Sequence, residues 1–451
     1  MSKNNDRMKM MAELPVPSVL VKMSLPMMIS FFIQALYNIV DSMFVARISE
    51  NALTAVSLAF PMQQIVTALA VGTATGVSAV WARKMGMGDK EGASSVIQTM
   101  TGISLIFTVV FILLGLFASE PIFRVQTNVE EIAVYGTTYL SINWLFSCGS
   151  IFSKYYERLL VSSGRATLSM IAMASGAVFN LVFDPLLIFG IGFFPEMGIA
   201  GAAIATIGGQ IFSAIIALIL NIRYNPSVRK DLFRFGFKVQ AAIDIFRVGL
   251  PSIITMGLSS VTSFFINQIL LAYSTTATAV YGIWMKLQNF CYMPIFGLNN
   301  GVVPVLSYNY GIGNKDRVKE TMKLSVGAGA VLMLLLVVIL ELVPNGILTL
   351  FSASDYMRSV GIHCLRICVF TLPFGAVSML RGTSMQALDH ARYALLINLM
   401  RQCVLLIGSF ALISAIFHDQ NVIWYAVLIT EVITFIVCCV LNRKFVRDLQ
   451  L

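Results

Sequence analysis

Long apolar runs constrain this chain more than any other feature. Crossing the hydrocarbon of a bilayer takes about 20 predominantly apolar residues. The sequence supplies twelve such runs, in two sets of six. The first set is 23–46, 53–82, 93–118, 132–155, 167–191 and 197–222. The second is 243–273, 276–305, 320–345, 358–385, 393–418 and 421–442. Backbone in hydrocarbon must satisfy its own N–H and C=O groups, so runs of this length become helices. Composition agrees: 12% of residues are charged, against about 25% in soluble domains. The expectation is an all-α polytopic membrane protein, and a soluble enzyme is excluded. The first run is no cleavable signal. It is too long, contains Pro26, Asn38 and Asp41, and lacks a small-residue cleavage site.

Basic residues fall on alternate connections. They cluster at the N-terminus (Lys3, Arg7, Lys9, Lys22), in the loop with Arg83, Lys84 and Lys90, and in the central segment from Arg223 to Lys238. They recur at Lys315, Arg317, Lys319 and Lys323, and in the tail. The opposite connections hold acids such as Glu120, Glu130, Glu131 and Asp355. By the positive-inside rule both termini and the central segment are cytoplasmic, which requires an even number of spans. The net charge of +9 reads as basic loops of an inner-membrane protein, not as nucleic-acid binding. Seven cysteines, an odd number in apolar surroundings, imply buried thiols and no disulfide framework. Three histidines without ligand spacing make a metal centre an unfavoured reading.

The chain repeats itself. Gly86-Met87-Gly88-Asp89-Lys90 corresponds to Gly311-Ile312-Gly313-Asn314-Lys315, an offset of 311 − 86 = 225. The same offset pairs Pro26 with Pro251, Gln63 with Gln288, Gly72 with Gly297 and Gly76 with Gly301. Several matches at one offset indicate duplication. An even number of spans per copy makes the copies parallel, related by an axis along the membrane normal. The division is an N-lobe, 1–222, a cytoplasmic linker, 223–242, and a C-lobe, 243–451.

Polar residues inside the spans mark the candidate site. Ser30, Gln34, Tyr37, Asn38 and Asp41 lie along one face of the first helix. Hydrogen bonding between helices accounts for Ser and Gln. An intramembrane Asp costs about 2.5–3.5 kcal/mol on insertion scales and points to function. Pro26, in the same helix, reads as a hinge or a tolerated kink. In the fifth helix Asn180 and Asp184 share a face, and Pro185 is expected to interrupt the helix. Two nearby carboxylates cannot both ionise cheaply, which suits a proton or cation carrier. The fourth helix adds Tyr139, Asn143, Lys154, Glu157 and Arg158. Glu157 reads equally as a coupling acid and as the ion-pair partner of Lys154. At the repeat offset, Asp41 and Asp184 become Ile266 and Ser409, so ion coupling is assigned to the first half. Charges that look buried in the second half are Lys286, Glu341, Arg366, Arg381, Arg401 and Glu431. The 24 methionines and 11% aromatics suit a pocket for varied apolar ligands, and equally suit packing and lipid contact.

The chain resembles the multidrug and toxic compound extrusion (MATE) family over about residues 15–445. The resemblance rests on Ser24-Leu25-Pro26, Val40-Asp41, the duplicated Gly-x-Gly-[Asp/Asn]-Lys, Asn180-Leu181-Val182-Phe183-Asp184-Pro185 and Gly198-Ile199-Ala200-Gly201-Ala202-Ala203. It is most similar to the bacterial, staphylococcal-type drug-efflux branch. The resemblance implies two six-helix bundles around a V-shaped cleft, and export of cationic amphipathic drugs against H⁺ or Na⁺. It implies coupling through Pro26, Tyr37, Asp41, Tyr139, Asn180 and Asp184, with Glu157 matching an acid of some relatives. A Na⁺ ion would fall to Asp41, Asn180 and Asp184. Asn267 and Gln268 stand where some members carry a seventh-helix acid, so a C-lobe Na⁺ site is not expected. No cofactor beyond the coupling ion is implied, and the expected state is a monomer in contact with lipid. A lipid-linked oligosaccharide flippase of the same superfamily is the nearer rival, and would need a more cationic cavity. A channel or membrane receptor is the rival of another class.

Overall fold

The computed structural model describes residues 3–234, 236–350, 355–417 and 419–448, and these residues are helical with short connections. The first half comprises α1 (Lys3–Glu13), α2 (Val16–Ala46), α3 (Glu50–Gly86), α4 (Lys90–Phe117) and α5 (Ser119–Gln126). It continues with α6 (Glu130–Leu145), α7 (Cys148–Ser162), α8 (Ala166–Phe189), α9 (Gly198–Tyr224) and α10 (Pro226–Arg229). The second half comprises α11 (Val239–Leu271), α12 (Thr275–Ile312), α13 (Lys315–Leu342), α14 (Pro344–Leu350) and α15 (Asp355–Val369). It ends with α16 (Thr371–Ala387), α17 (Ala391–Leu399), a π-helical turn at Met400–Leu406, α18 (Ile407–Phe417) and α19 (Tyr425–Asp448). A shift of 225 carries the first residues of α3, α4, α5, α6 and α8 onto those of α12, α13, α14, α15 and α17.

Local chemistry sets these boundaries. The Ser49 and Ser274 side chains cap α3 and α12 by accepting from Ala52 N–H and Ala277 N–H. The Asp89 and Asn314 side chains do the same for α4 and α13. Gly88 and Gly313 hold the left-handed φ of 76° and 83° that these turns need.

Two expectations change. Among the described residues ten helices are individually long and apolar enough to cross a bilayer, and α15 with α16, bent by 41°, makes an eleventh. The fourth run breaks likewise at Phe146–Ser147, and its second piece extends to Ser162 rather than ending at 155. At 15 residues that piece is too short to cross a bilayer alone. The repeat places α6 and α7 opposite α15 and α16, so each half has six transmembrane positions, one of them broken. Pro185 does not interrupt α8, which runs on to Phe189. The cost is one backbone hydrogen bond, and neighbouring helices absorb it.

The halves meet along α2 with α12 and α3 with α11 and α12. The duplicated glycines are the contact. A β-carbon on Gly76 would lie 2.2 Å from the Ile245 carbonyl oxygen, and one on Gly311 would lie 2.2 Å from that of Arg83. Gly72 faces Ile253 while its counterpart Gly297 faces Met28, and 253 is the repeat position of 28. The seam therefore obeys the two-fold relation of the repeat. It lies at the end of the molecule carrying the chain termini, where Arg83 also pairs with Asp389 at 3.0 Å. Toward the far end the same faces open: Ile39, Val261, Phe264 and Phe290 are exposed. The result is a V closed at the terminal end.

Each half is strapped to the other there. Met11 C=O accepts from Asn309 Nδ2 and Arg317 Nε, both at 2.9 Å, and Leu14 C=O accepts from Arg317 Nη2. The segment leading into α2 is thus tied to the second half. The segment leading into α11 packs on the first: Lys238 N–H donates to Thr99 Oγ1 at 3.2 Å, and Gln98 Nε2 to Asp231 Oδ1 at 3.4 Å.

Candidate ion-coupling site

The N-half polar residues converge in one place because α8 packs against both α2 and α9, and α6 against α3 and α9. The helical period brings Tyr37 and Asp41 of α2 to the face that meets α8. From α8, Asn180 Nδ2 donates to Asp184 Oδ1 at 3.1 Å, and both residues are fully buried. The Asp41 and Asp184 carboxyl groups are near enough to share a hydrogen bond once one is protonated. Tyr139 of α6 stands beside both, next to Gln63 and Thr206. Tyr37 lies in the combined field of Asp41, Glu157 and Asp184. The sequence-derived set Tyr37, Asp41, Tyr139, Asn180 and Asp184 thus forms one cluster.

Acceptors outnumber donors in that cluster. Asp41 Oδ1, Asn180 Oδ1 and Asp184 Oδ2 are buried without a hydrogen-bond partner. Unpaired buried oxygens are costly, and three together suit either a shared proton or a small hard cation, which takes oxygen ligands. Grouped His, Cys, Asp and Glu ligands for a transition metal do not occur among the described residues.

Glu157 is differently placed. Its Oε2 pairs with Lys154 Nζ at 3.1 Å, and its Oε1 accepts from Ser213 Oγ at 3.0 Å. Both oxygens are engaged, unlike those of the aspartates. Asn143 turns back to the Tyr139 carbonyl, at 2.8 Å. Pro26 sits in an unbroken α2, its carbonyl accepting from Ser30 Oγ at 2.9 Å. A cavity of about 270 Å³ lies beside it, lined by Met10, Val21, Lys22, Leu25, Gly164 and Thr167. Sequence reasoning missed the α9 contribution. Thr206, Gln210 and Ser213 follow one another at helical spacing on the face toward the cluster, the same signal that singled out α2.

The second half holds a different arrangement. Glu431 of α19 is buried and paired with Arg401 of the π-helical turn. Its free Oε2 and the Tyr292 hydroxyl, both without partners, crowd the space over Gly375. Arg381 Nη1 contacts Cys439 Sγ at 2.6 Å. Arg366 and Lys286 are exposed rather than buried. Of the cysteines, Cys291, Cys364, Cys368 and Cys438 are buried, while Cys403 is exposed on a span. A cavity of about 540 Å³ between α11 and α18, lined by Ile269, Tyr273 and Ser414 among others, lies away from the acids.

Known proteins share this architecture. The family model MatE matches residues 26–186 and again 251–410, together more than half of the chain. The multidrug export protein MepA of Staphylococcus haemolyticus is 26% identical over 434 residues, covering 95% of this chain and 94% of its own. MepA of Staphylococcus aureus (strain MRSA252) is 26% identical over 420 residues, covering 92% and 91%. Among solved structures, the outward-facing conformation of a multidrug resistance MATE transporter superposes with a TM-score of 0.92 at 25% identity, each chain fully covered. A MOP superfamily transporter from Pyrococcus furiosus, described for the reversed polarity of its binding pocket, gives a TM-score of 0.92 at 26% identity, again with full coverage. A twice-matched family model, a duplicated six-position bundle and a V closed at one end have one reading: this chain is a multi-pass membrane protein of the MatE family.

Proposed function

We propose that the protein is a secondary antiporter that exports amphipathic drugs, cationic ones included, in exchange for H⁺ or Na⁺. The observation that carries this is the Asp41–Asp184 pair, a half-buried and a fully buried carboxyl on neighbouring helices of the same lobe, each with a buried oxygen that has no partner. Loading the pair with a cation changes the hydrogen bonding of α2 and α8. Because α2 also forms the seam with α12, its rearrangement near Pro26 alters how the halves fit. Drug leaves from the open V when the ion binds, and drug binding to the ion-free state resets the cycle. Coupling of this kind requires each ligand to prefer a different conformation. The export activity named for the staphylococcal relatives supports the direction of transport. We place both termini and the linker in the cytoplasm and the open V outward, in the cell membrane.

Of the cations that the flippase alternative would need in its cavity, Arg401 is neutralised by Glu431. The test is dye efflux from everted vesicles with a pH gradient or a Na⁺ gradient imposed separately. Efflux driven by one gradient identifies the ion. Efflux indifferent to both would refute antiport.

A further inference from the structure

Lys286 is a charge on the wall of the cleft. It lies in α12, inside a span, yet its side chain is exposed, and it has no ion pair or hydrogen bond among the described residues. The direction it faces follows from the helix. Lys286 precedes Gly297 by eleven residues, about three turns, so both lie on one face. That face meets the N-half: Gly297 packs on Met28, Gly301 on Ser24, and Phe290 against Phe32 at 5.5 Å between centroids. Lys286 therefore points across the divide, not into lipid, where a lysine at this depth is costly.

Its level is fixed as well. The chain leaves the terminal end along α2 and returns to it along α12, so the two helices are antiparallel. Lys286 stands one turn beyond the Phe32–Phe290 contact, level with Leu36 and Tyr37. One further turn along, a β-carbon on Gly282 would meet nothing within 4 Å, so the space ahead is open. Asn289 is exposed beside it. Exposed Phe264 and Phe290 make the surrounding wall apolar.

We propose that Lys286 is a specificity-determining residue that binds an acidic group of the transported amphipath. The preferred substrates are then zwitterions or amphipathic acids, whose apolar body lies on the phenylalanines. This rests on the drug-efflux reading and narrows its substrate class. A partnerless ammonium in a cleft of low polarity gains a strong, charge-assisted hydrogen bond from a carboxylate. It repels a ligand that carries only positive charge.

The test uses two xanthene dyes differing in one group, a free carboxylate in one and its methyl ester in the other. Binding to the purified full-length protein is followed by fluorescence polarisation, and export is measured in proteoliposomes. Lys286→Met should weaken binding of the free acid by about tenfold or more, the worth of a charged hydrogen bond, and leave the ester bound at least as tightly as before. Lys286→Arg should keep the preference for the acid. Retained ester binding also shows that the variant is folded. Should Lys286→Met bind the acid as well as the native protein does, or lose both dyes equally, the proposal is wrong. Export of the ester without preference for the acid in the native protein overturns this inference alone. A native protein that exports neither dye overturns the efflux reading with it.

Discussion

Gly76→Ala tests whether the glycine seam holds the terminal end closed. The added β-carbon would lie 2.2 Å from the Ile245 carbonyl oxygen and 3.0 Å from its carbon. Both neighbours are backbone of α11, so no side chain can swing aside. Ordinary carbon–oxygen contact is about 3.3 Å, so the helices must part by about 1 Å. Overpacking of this kind costs about 1–3 kcal/mol. The cost falls only on the state in which the seam is shut. The equilibrium between seam-shut and seam-open forms should therefore move by a factor of about 5–150.

The assay is thiol labelling of Ser24→Cys, a buried seam position, in a background freed of the native cysteines. A membrane-impermeant maleimide is supplied from the terminal side. Gly76→Ala should raise the labelling rate by that factor, and so should Gly311→Ala, its β-carbon 2.2 Å from the Arg83 carbonyl oxygen. Gly257→Ala and Gly282→Ala, where an added carbon meets nothing within 4 Å, should leave it unchanged. Equal labelling in all four folded variants would refute the claim that these glycines hold the halves together.

Asp41→Asn and Asp184→Asn should each abolish drug-dependent ion movement in proteoliposomes while leaving the size-exclusion profile intact, because a neutral amide is cheaper to bury than a carboxylate. Normal coupled transport in both would refute the assignment. Glu157→Gln should give a weaker transport defect and a stability loss of about 1–3 kcal/mol, read from thermal melting, since Lys154 loses its partner. Arg401→Met should cost about 3–5 kcal/mol by stranding Glu431, and adding Glu431→Leu should recover most of it. On the loop before α4, the Gly92 N–H and then Lys84 hold the Asp89 carboxyl below its ordinary 3.8. A lowered folded value means the cap's stabilisation is present above about 4 and fades as pH falls through that lowered value. Because Asp89 is largely exposed, Asp89→Ala should cost no more than about 1 kcal/mol at neutral pH. A cysteine at position 230 should react with impermeant reagent only from the cytoplasmic side.

The fold was legible to the extent that hydrophobicity and repetition encode it. Run lengths gave the spans, and the offset of 225 gave the two-fold frame. The breaks at Phe146–Ser147 and near Phe370 escaped because a bent span keeps the apolar character of a straight one. Pro185 misled for the opposite reason, since proline is read as a breaker even where packing sustains the helix. In the candidate site, Asp41 and Asp184 were visible because acids are rare in spans, and their spacing placed them on inward faces. Thr206, Gln210 and Ser213 were not, since neutral polar residues are common enough in spans to pass unnoticed. Nothing in the sequence could say that Glu157 has both oxygens engaged, because one partner, Ser213, comes from another helix. Arg366 reads as buried from its apolar neighbours yet is exposed, because a helix surface alternates within a turn.

The repeat also bears on which helix can link ion and drug. The seam is nearly symmetric: Gly72, Gly76 and Gly86 have counterparts at Gly297, Gly301 and Gly311, with Gly86 and Gly311 against the matching carbonyls of Tyr308 and Arg83, and Gly72 and Gly297 against the matching residues Ile253 and Met28. A symmetric contact has no chemistry by which to sense an ion, so the sensing must enter through what the halves do not share. Three departures stand out. The acids of α2 and α8 have Ile266 and Ser409 as counterparts. Asp389 occupies the repeat position of Gly164, at a φ of 69° where glycine has 77°, and holds Arg83 across the seam. A non-glycine residue in that region is strained by roughly 1 kcal/mol or more, which the inter-half ion pair offsets. Lys286 replaces the Pro61 position on the cleft wall. Of the helices concerned, α2 alone carries an acid of the pair, seam residues Ser24 and Met28, and a leading segment tied to the other half. The ion binding proposed at Asp41 would therefore reach the seam through α2 without crossing a second element.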